Sequence, residues 1–119
     1  MTMSFTTKLR SAWSTRDSML CVGLDPDVAK LPSGIEKSPR GVLEFCRAIV
    51  DSTSDLVCAF KPQIAYFAAI GAERELGELC GHIRTNHPEV VLILDAKRGD
   101  IGDTAALYAR EAFERYGAD

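Results

Sequence analysis

The stretch Val90-Val91-Leu92-Ile93-Leu94-Asp95-Ala96-Lys97-Arg98-Gly99-Asp100 passes directly from five aliphatic side chains to a run that carries four charges. Five apolar residues without in-out alternation suit a strand covered on both faces, the usual state of a strand in a parallel sheet. In parallel α/β folds the functional side chains collect where strands end and the following loops begin. The charged run therefore marks both the end of a strand and a candidate site.

Working outward, two more runs have the same character. Met19 to Leu24 (MLCVGL) and Leu56 to Phe60 (LVCAF) are short, aliphatic and followed by charge: the first leads into Asp25-Pro26-Asp27, the second into Lys61-Pro62-Gln63. Between them the apolar period changes to that of a helix. Over Gly41 to Thr53, Val42, Cys46, Ile49 and Val50 form one stripe, with Glu44, Arg47 and Asp51 mostly elsewhere. The spacing predicts another helix over Ile70 to Thr85, with Leu76, Leu79, Cys80 and Ile83 inward, stopping before His87-Pro88. After the third strand, Ala105, Tyr108, Ala109, Ala112, Phe113 and Tyr116 recur at helical spacing up to Gly117, a natural C-cap. A shorter helix, about Phe5 to Ser14, precedes the first strand, and Pro26 to Pro39 reads as a loop.

The order is strand-helix repeated three times, with crossovers long enough to return each strand parallel to the last. That predicts an α/β fold of right-handed βαβ units. Gly117-Ala118-Asp119 reads as the entry to a fourth strand, whereas a closed barrel takes about 250 residues and eight strands. Residues 1–119 are thus expected to form a single partial domain, cut before that fourth strand.

With 46% hydrophobic and 26% charged residues and a net charge of -3, the chain lacks the basic excess of a nucleic-acid binder. Met1 to Arg10 has no signal-peptide core and no run of about 18 apolar residues occurs, so no membrane partner and a cytoplasmic location are expected. Cys21, Cys46, Cys58 and Cys80 form no C-x-x-C pair and lie in apolar segments, which reads as reduced core residues. His82 and His87 match no zinc spacing and lie at the end of the fold opposite the strand exits, so no metal site is expected. Gly23, Gly99 and Gly102 form no phosphate-loop pattern.

The chemistry then rests on the strand exits. Asp95 and Lys97, two apart, point the same way if strand geometry persists. Lys61 ends the neighbouring strand, and Asp100 follows at the turn into the next helix. Carboxylates flanking a lysine keep it an ammonium where burial would neutralise it. The product is a preorganised proton donor, suited to a reaction that develops a carbanion. Strand-end charges taken singly also fit a solvated rim, and Asp100, like Asp103-Thr104, also fits helix N-capping.

The run Leu92 to Ala105 (LILDAKRGDIGDTA) resembles the D-x-K-x-x-D-I-x-x-T signature of the orotidine 5'-phosphate decarboxylases, with every signature position present. Val22 to Asp27 and Phe60 to Gln63 resemble that family's first two strand exits, and the loop between them its longer bacterial branch. The resemblance implies the N-terminal portion of a TIM (β/α)8 barrel. It implies conversion of orotidine 5'-monophosphate to uridine 5'-monophosphate and CO2, without metal or cofactor, in a homodimer. By position, Lys97 would donate the proton, Asp95 would face the substrate carboxylate and Lys61 would complete the charge network and contact the ribose. Asp25 would bind a ribose hydroxyl, and Asp100, Ile101 and Thr104 would reach into the partner's site. The family's phosphate-binding loops come late in the barrel and are absent from this sequence, so the chain alone is expected to be inactive.

Two alternatives stay open: a magnesium-dependent sugar-phosphate decarboxylase or aldolase sharing the D-x-K-x-x-D segment, and a non-catalytic dimerising α/β fragment. Lys61 and the Ile101 to Thr104 continuation favour the orotidine enzyme over the magnesium branch. A Schiff-base aldolase is disfavoured, since a lysine between carboxylates stays protonated and is a poor nucleophile.

Overall fold

The computed structural model describes residues 3–119. It contains α1 (Phe5–Arg16), β1 (Cys21–Leu24), α2 (Pro39–Thr53), β2 (Ala59–Pro62), α3 (Ile64–Ala68), α4 (Glu73–Asn86), β3 (Val91–Leu92) and α5 (Gly102–Arg110). The strands form one parallel sheet in the order β1-β2-β3. Gly23 pairs with Lys61 and Phe60 with Leu92, so the strand exits line up along one edge.

Alternation along the strands sorts side chains onto two faces. Phe60 and Leu92 join the main core with Val42, Cys46 and Val50 of α2 and Leu76, Leu79, Cys80 and Ile83 of α4. Ala59 and Val91 point the other way, onto Ala12, Leu9 and Trp13 of α1. The central strand is therefore covered on both faces, as its apolar run requires. The start of the first apolar run is not: Met19 and Leu20 are exposed, and so is Cys21, contrary to its reading as a core cysteine. β1 lies at an edge of the sheet, so among the described residues one side of it has no neighbour. Cys46, Cys58 and Cys80 are buried and free, and burial pushes the Cys46 and Cys80 thiols up to about 12.

Three other boundaries differ from the sequence reading. The helix expected over Ile70 to Thr85 is α4, which starts at Glu73, and a short helix not expected from the sequence, α3, precedes it across a turn at Gly71 with φ +66. Gln63 caps α3 by accepting the Ala65 N–H, an aid invisible in the hydrophobic period. β3 is shorter than Val90 to Leu94 because its ladder with β2 breaks after Leu92 and resumes only as a bridge between Gln63 and Asp95. The last helix is α-helical to Arg110 and continues as a π-helical turn over Glu111–Arg115. Of its apolar stripe only Tyr116 is buried, while Phe113 stays exposed. On the far side of β3, Asp119 N–H donates to the Leu92 carbonyl at 2.9 Å, where a further strand would pair.

Candidate active site

Backbone pairing between the ends of β2 and β3 holds Asp95 in place. Its N–H donates to the Pro62 carbonyl and its own carbonyl accepts from Ile64 N–H, both at 3.0 Å. With the backbone clamped, its side chain, 20% exposed, stands beside Lys61. Lys61 Nζ lies 3.5 Å from Asp95 Oδ2, and Lys97 Nζ donates to Oδ1 at 3.0 Å and Oδ2 at 2.8 Å. One carboxylate thus bridges two ammonium groups from two strand exits.

Lys97 reaches Asp95 by a route the strand period does not describe. Strand geometry ends before it, and its backbone adopts φ +48, the left-handed region. That conformation costs a non-glycine residue about 1–2 kcal/mol, more than an exposed ion pair usually returns. A strained lysine at a charged strand exit is the pattern of a functional site rather than a stabilising one. Beyond it, Arg98 anchors the loop to the last helix through Glu111 at 2.7 Å and the Tyr108 ring.

The hydrogen bonds from Lys97 hold the Asp95 carboxyl below its ordinary 3.8. Desolvation opposes this, and the Lys97 and Lys61 charges reinforce it. A lowered folded-state pKa means that the carboxylate's contribution is present above the ordinary carboxylate range and is lost as pH falls through the depressed value. Lys97→Ala is expected to move Asp95 back up toward 3.8, read from its side-chain carbonyl ¹³C shift against pH. An unmoved midpoint would show that Lys97 does not set it.

The other expected residues lie around this centre. Asp25 is exposed at the exit of β1, in a cleft of ≈ 260 Å³ walled by Leu31, Phe45 and Tyr66, and forms no ion pair with Lys61 among the described residues. Asp100 accepts the Ile101 N–H at 2.8 Å and does not reach Lys97; nor does it cap α5, whose N-cap is Ile101. Ile101 is 84% exposed and Thr104 is exposed, with no side-chain bond from either to the Lys61–Asp95–Lys97 cluster. Three of the charged residues come together, and Asp25, Asp100, Ile101 and Thr104 stand free of them.

One constellation escaped the sequence reading. Asp51, His82 and His87 meet at the opposite end of the sheet, with one ligand-type atom from each within 4.8 Å of the others. The histidine spacing was visible, but its third member is a helix away.

Fold and site together define a parallel βα protein with a lysine–carboxylate centre at the C-terminal ends of its strands. The chain belongs to the Orotidine 5'-phosphate decarboxylase / HUMPS family, whose model matches residues 18–119. It is 62% identical over 117 residues to the orotidine 5'-phosphate decarboxylases of Verminephrobacter eiseniae and of Azoarcus sp., covering 98% of this chain and 43% of each relative. The structure of Leishmania donovani OMP decarboxylase superposes with a TM-score of 0.81 at 36% identity, covering 98% of this chain and 42% of that one. The fold is accordingly the N-terminal portion of a TIM barrel. The chain spans less than half the length of these relatives.

Proposed function

We propose that this chain carries the proton-donating part of an orotidine 5'-monophosphate decarboxylase, as a partial domain of three βα units completed by further strands in a longer polypeptide. The observation that carries the reading is the Lys61–Asp95–Lys97 cluster on two adjacent strand exits. The substrate carboxylate lies beside Asp95, where repulsion between like charges is relieved as the C6–carboxylate bond breaks and CO2 leaves. The electron pair left on C6 is stabilised by the two ammonium groups. Lys97 then transfers a proton from Nζ to C6, forming uridine 5'-monophosphate, and recovers its proton from solvent.

Lys61 and Asp25 hold the ribose, and Asp100, Ile101 and Thr104 serve the partner's site in a homodimer. The exposure of the last three in the single chain supports that role. The chemistry uses no metal or cofactor. Binding energy from the substrate phosphate, held by loops later in the barrel, assembles the site.

The test is a chimera in which this chain replaces the matching segment of the Verminephrobacter eiseniae relative. The chimera is expected to turn over orotidine 5'-monophosphate, followed by the pyrimidine absorbance, and to keep its activity in a chelator. The chain alone is expected to be inert. A dead chimera beside an active parent sinks the reading, and loss of activity in chelator would move it to the magnesium-dependent branch.

A further inference from the structure

We infer that Asp51, His82 and His87 form a binding site for one divalent transition-metal ion of the zinc class, at the end of the sheet remote from Lys97. The topology brings them together. α2 and α4 pack side by side and run parallel, tied by Arg40 in the first turn of α2, which donates to both oxygens of Glu78 in the middle of α4 at 3.0 and 2.9 Å. Their C-terminal ends therefore also meet. Asp51 lies in the last turn of α2, His82 lies late in α4, and His87 is the α4 C-cap.

Both imidazoles aim the same atom at the same oxygen. His82 Nε2 lies 2.7 Å and His87 Nε2 2.8 Å from Asp51 Oδ1, with the rings edge to face at 5.9 Å between centroids. The histidine side chains are 18% and 16% exposed, so their rings are largely fixed by packing, while Asp51 is 51% exposed and free to adjust. Two imidazole nitrogens and one carboxylate oxygen suit zinc and its first-row neighbours and do not suit calcium or magnesium, which prefer all-oxygen shells. Bond lengths near 2.0–2.2 Å require ligand atoms about 3.3 Å apart in a tetrahedron. The two nitrogen–oxygen separations must widen by about half an ångström, which an Asp51 rotation supplies, and the two Nε2 atoms, within 4.8 Å of each other, must settle at the same spacing by small ring movements.

One further feature favours a cation here. The site faces the C-terminal ends of two helices, where the peptide dipoles and unpaired carbonyls present partial negative charge. In the metal-free arrangement the Asn86 amide nitrogen lies 3.1 Å from His82 Nδ1 and donates to the His82 carbonyl at 3.0 Å. When Nε2 ligates metal, the ring proton sits on Nδ1, so the Asn86 amide gives up its contact with Nδ1 and keeps its bond to the His82 carbonyl. With neutral imidazoles no proton is lost, since each moves from Nε2 to Nδ1 as the metal takes the Nε2 lone pair. Three protein ligands leave one position for water. Its place at the N-terminal end of the strands, where barrel folds keep stability rather than catalysis, makes the ion a clip between α2 and α4.

The test uses zinc chloride with the untagged chain at pH 7.5, read by titration calorimetry and by the imidazole ¹⁵N signals. With only two histidines, both rings are resolved. One ion per chain is expected, with both Nε2 signals shifting together and the melting temperature rising with zinc. Asp51→Asn, at an exposed position that tolerates the change, and His87→Ala are each expected to weaken binding by about tenfold or more. Cys21→Ser, which removes the exposed thiol, is expected to leave it unchanged. Zinc that moves neither ring overturns the proposal, and so does binding that survives Asp51→Asn and His87→Ala but is lost with Cys21→Ser.

Discussion

Lys97→Ala in the chimera is expected to lower kcat for orotidine 5'-monophosphate by about 10²–10⁴-fold, the range of a positioned general acid. Stability should hardly change. The Lys97 side chain is 74% exposed, exposed ion pairs contribute at most about 1 kcal/mol, and alanine keeps the Cβ and with it the same left-handed backbone cost. KM should move less than kcat, because the ammonium acts on charge that develops during the reaction rather than on the bound ground state. Steady-state kinetics beside a thermal melt separate the two effects. A variant that loses stability in proportion to activity would make Lys97 a structural residue and remove it from the chemistry.

Phe60→Ala carries the largest expected effect on folding, about 3–5 kcal/mol of destabilisation. Phe60 has no exposed surface, sits on the central strand and joins the main core with the buried faces of α2 and α4. Truncating it opens a void where the sheet meets both helices, and interiors packed this tightly relax only in part. In a domain of this size the melting temperature should fall by roughly 10–20 °C. Leu107→Ala, at a 58% exposed position, should shift stability by no more than about 0.5 kcal/mol. A Phe60→Ala melt within that same margin would mean that the core does not depend on the central strand. The residue next along, Lys61, adds the functional side chain, so this strand links stability to the site.

The strand-helix order, the parallel sheet and the position of the charged exits were legible because burial on both faces leaves a continuous apolar run. A change from charge-free to charged residues then marks the end of such a strand. The meeting of Asp95 with Lys97 was also expected, though for a different reason. The period-two rule relied on strand geometry, whereas the structure joins them through a left-handed turn at Lys97. α3 was not legible because the five residues Ile64–Ala68 are too few to display a helical period, and the positive φ of Gly71 sets them apart from α4. Asp100 was read as a fourth member of the charge chain, but its carboxylate closes on the neighbouring Ile101 amide instead.

What the residues by themselves determined was local: which segments are buried, where each strand ends, and that lysines and carboxylates stand at those ends. Apolar periodicity and charge placement are properties of short windows, so they survive without knowledge of packing. What only the tertiary structure decided was which distant groups touch. Asp95 bridges Lys61 and Lys97 because parallel register sets Asp95 beside the end of β2. Asp51 receives His82 and His87 because α2 and α4 run parallel and end together. Both depend on separations of thirty residues or so along the chain, which sheet register and helix packing close and which no local spacing encodes.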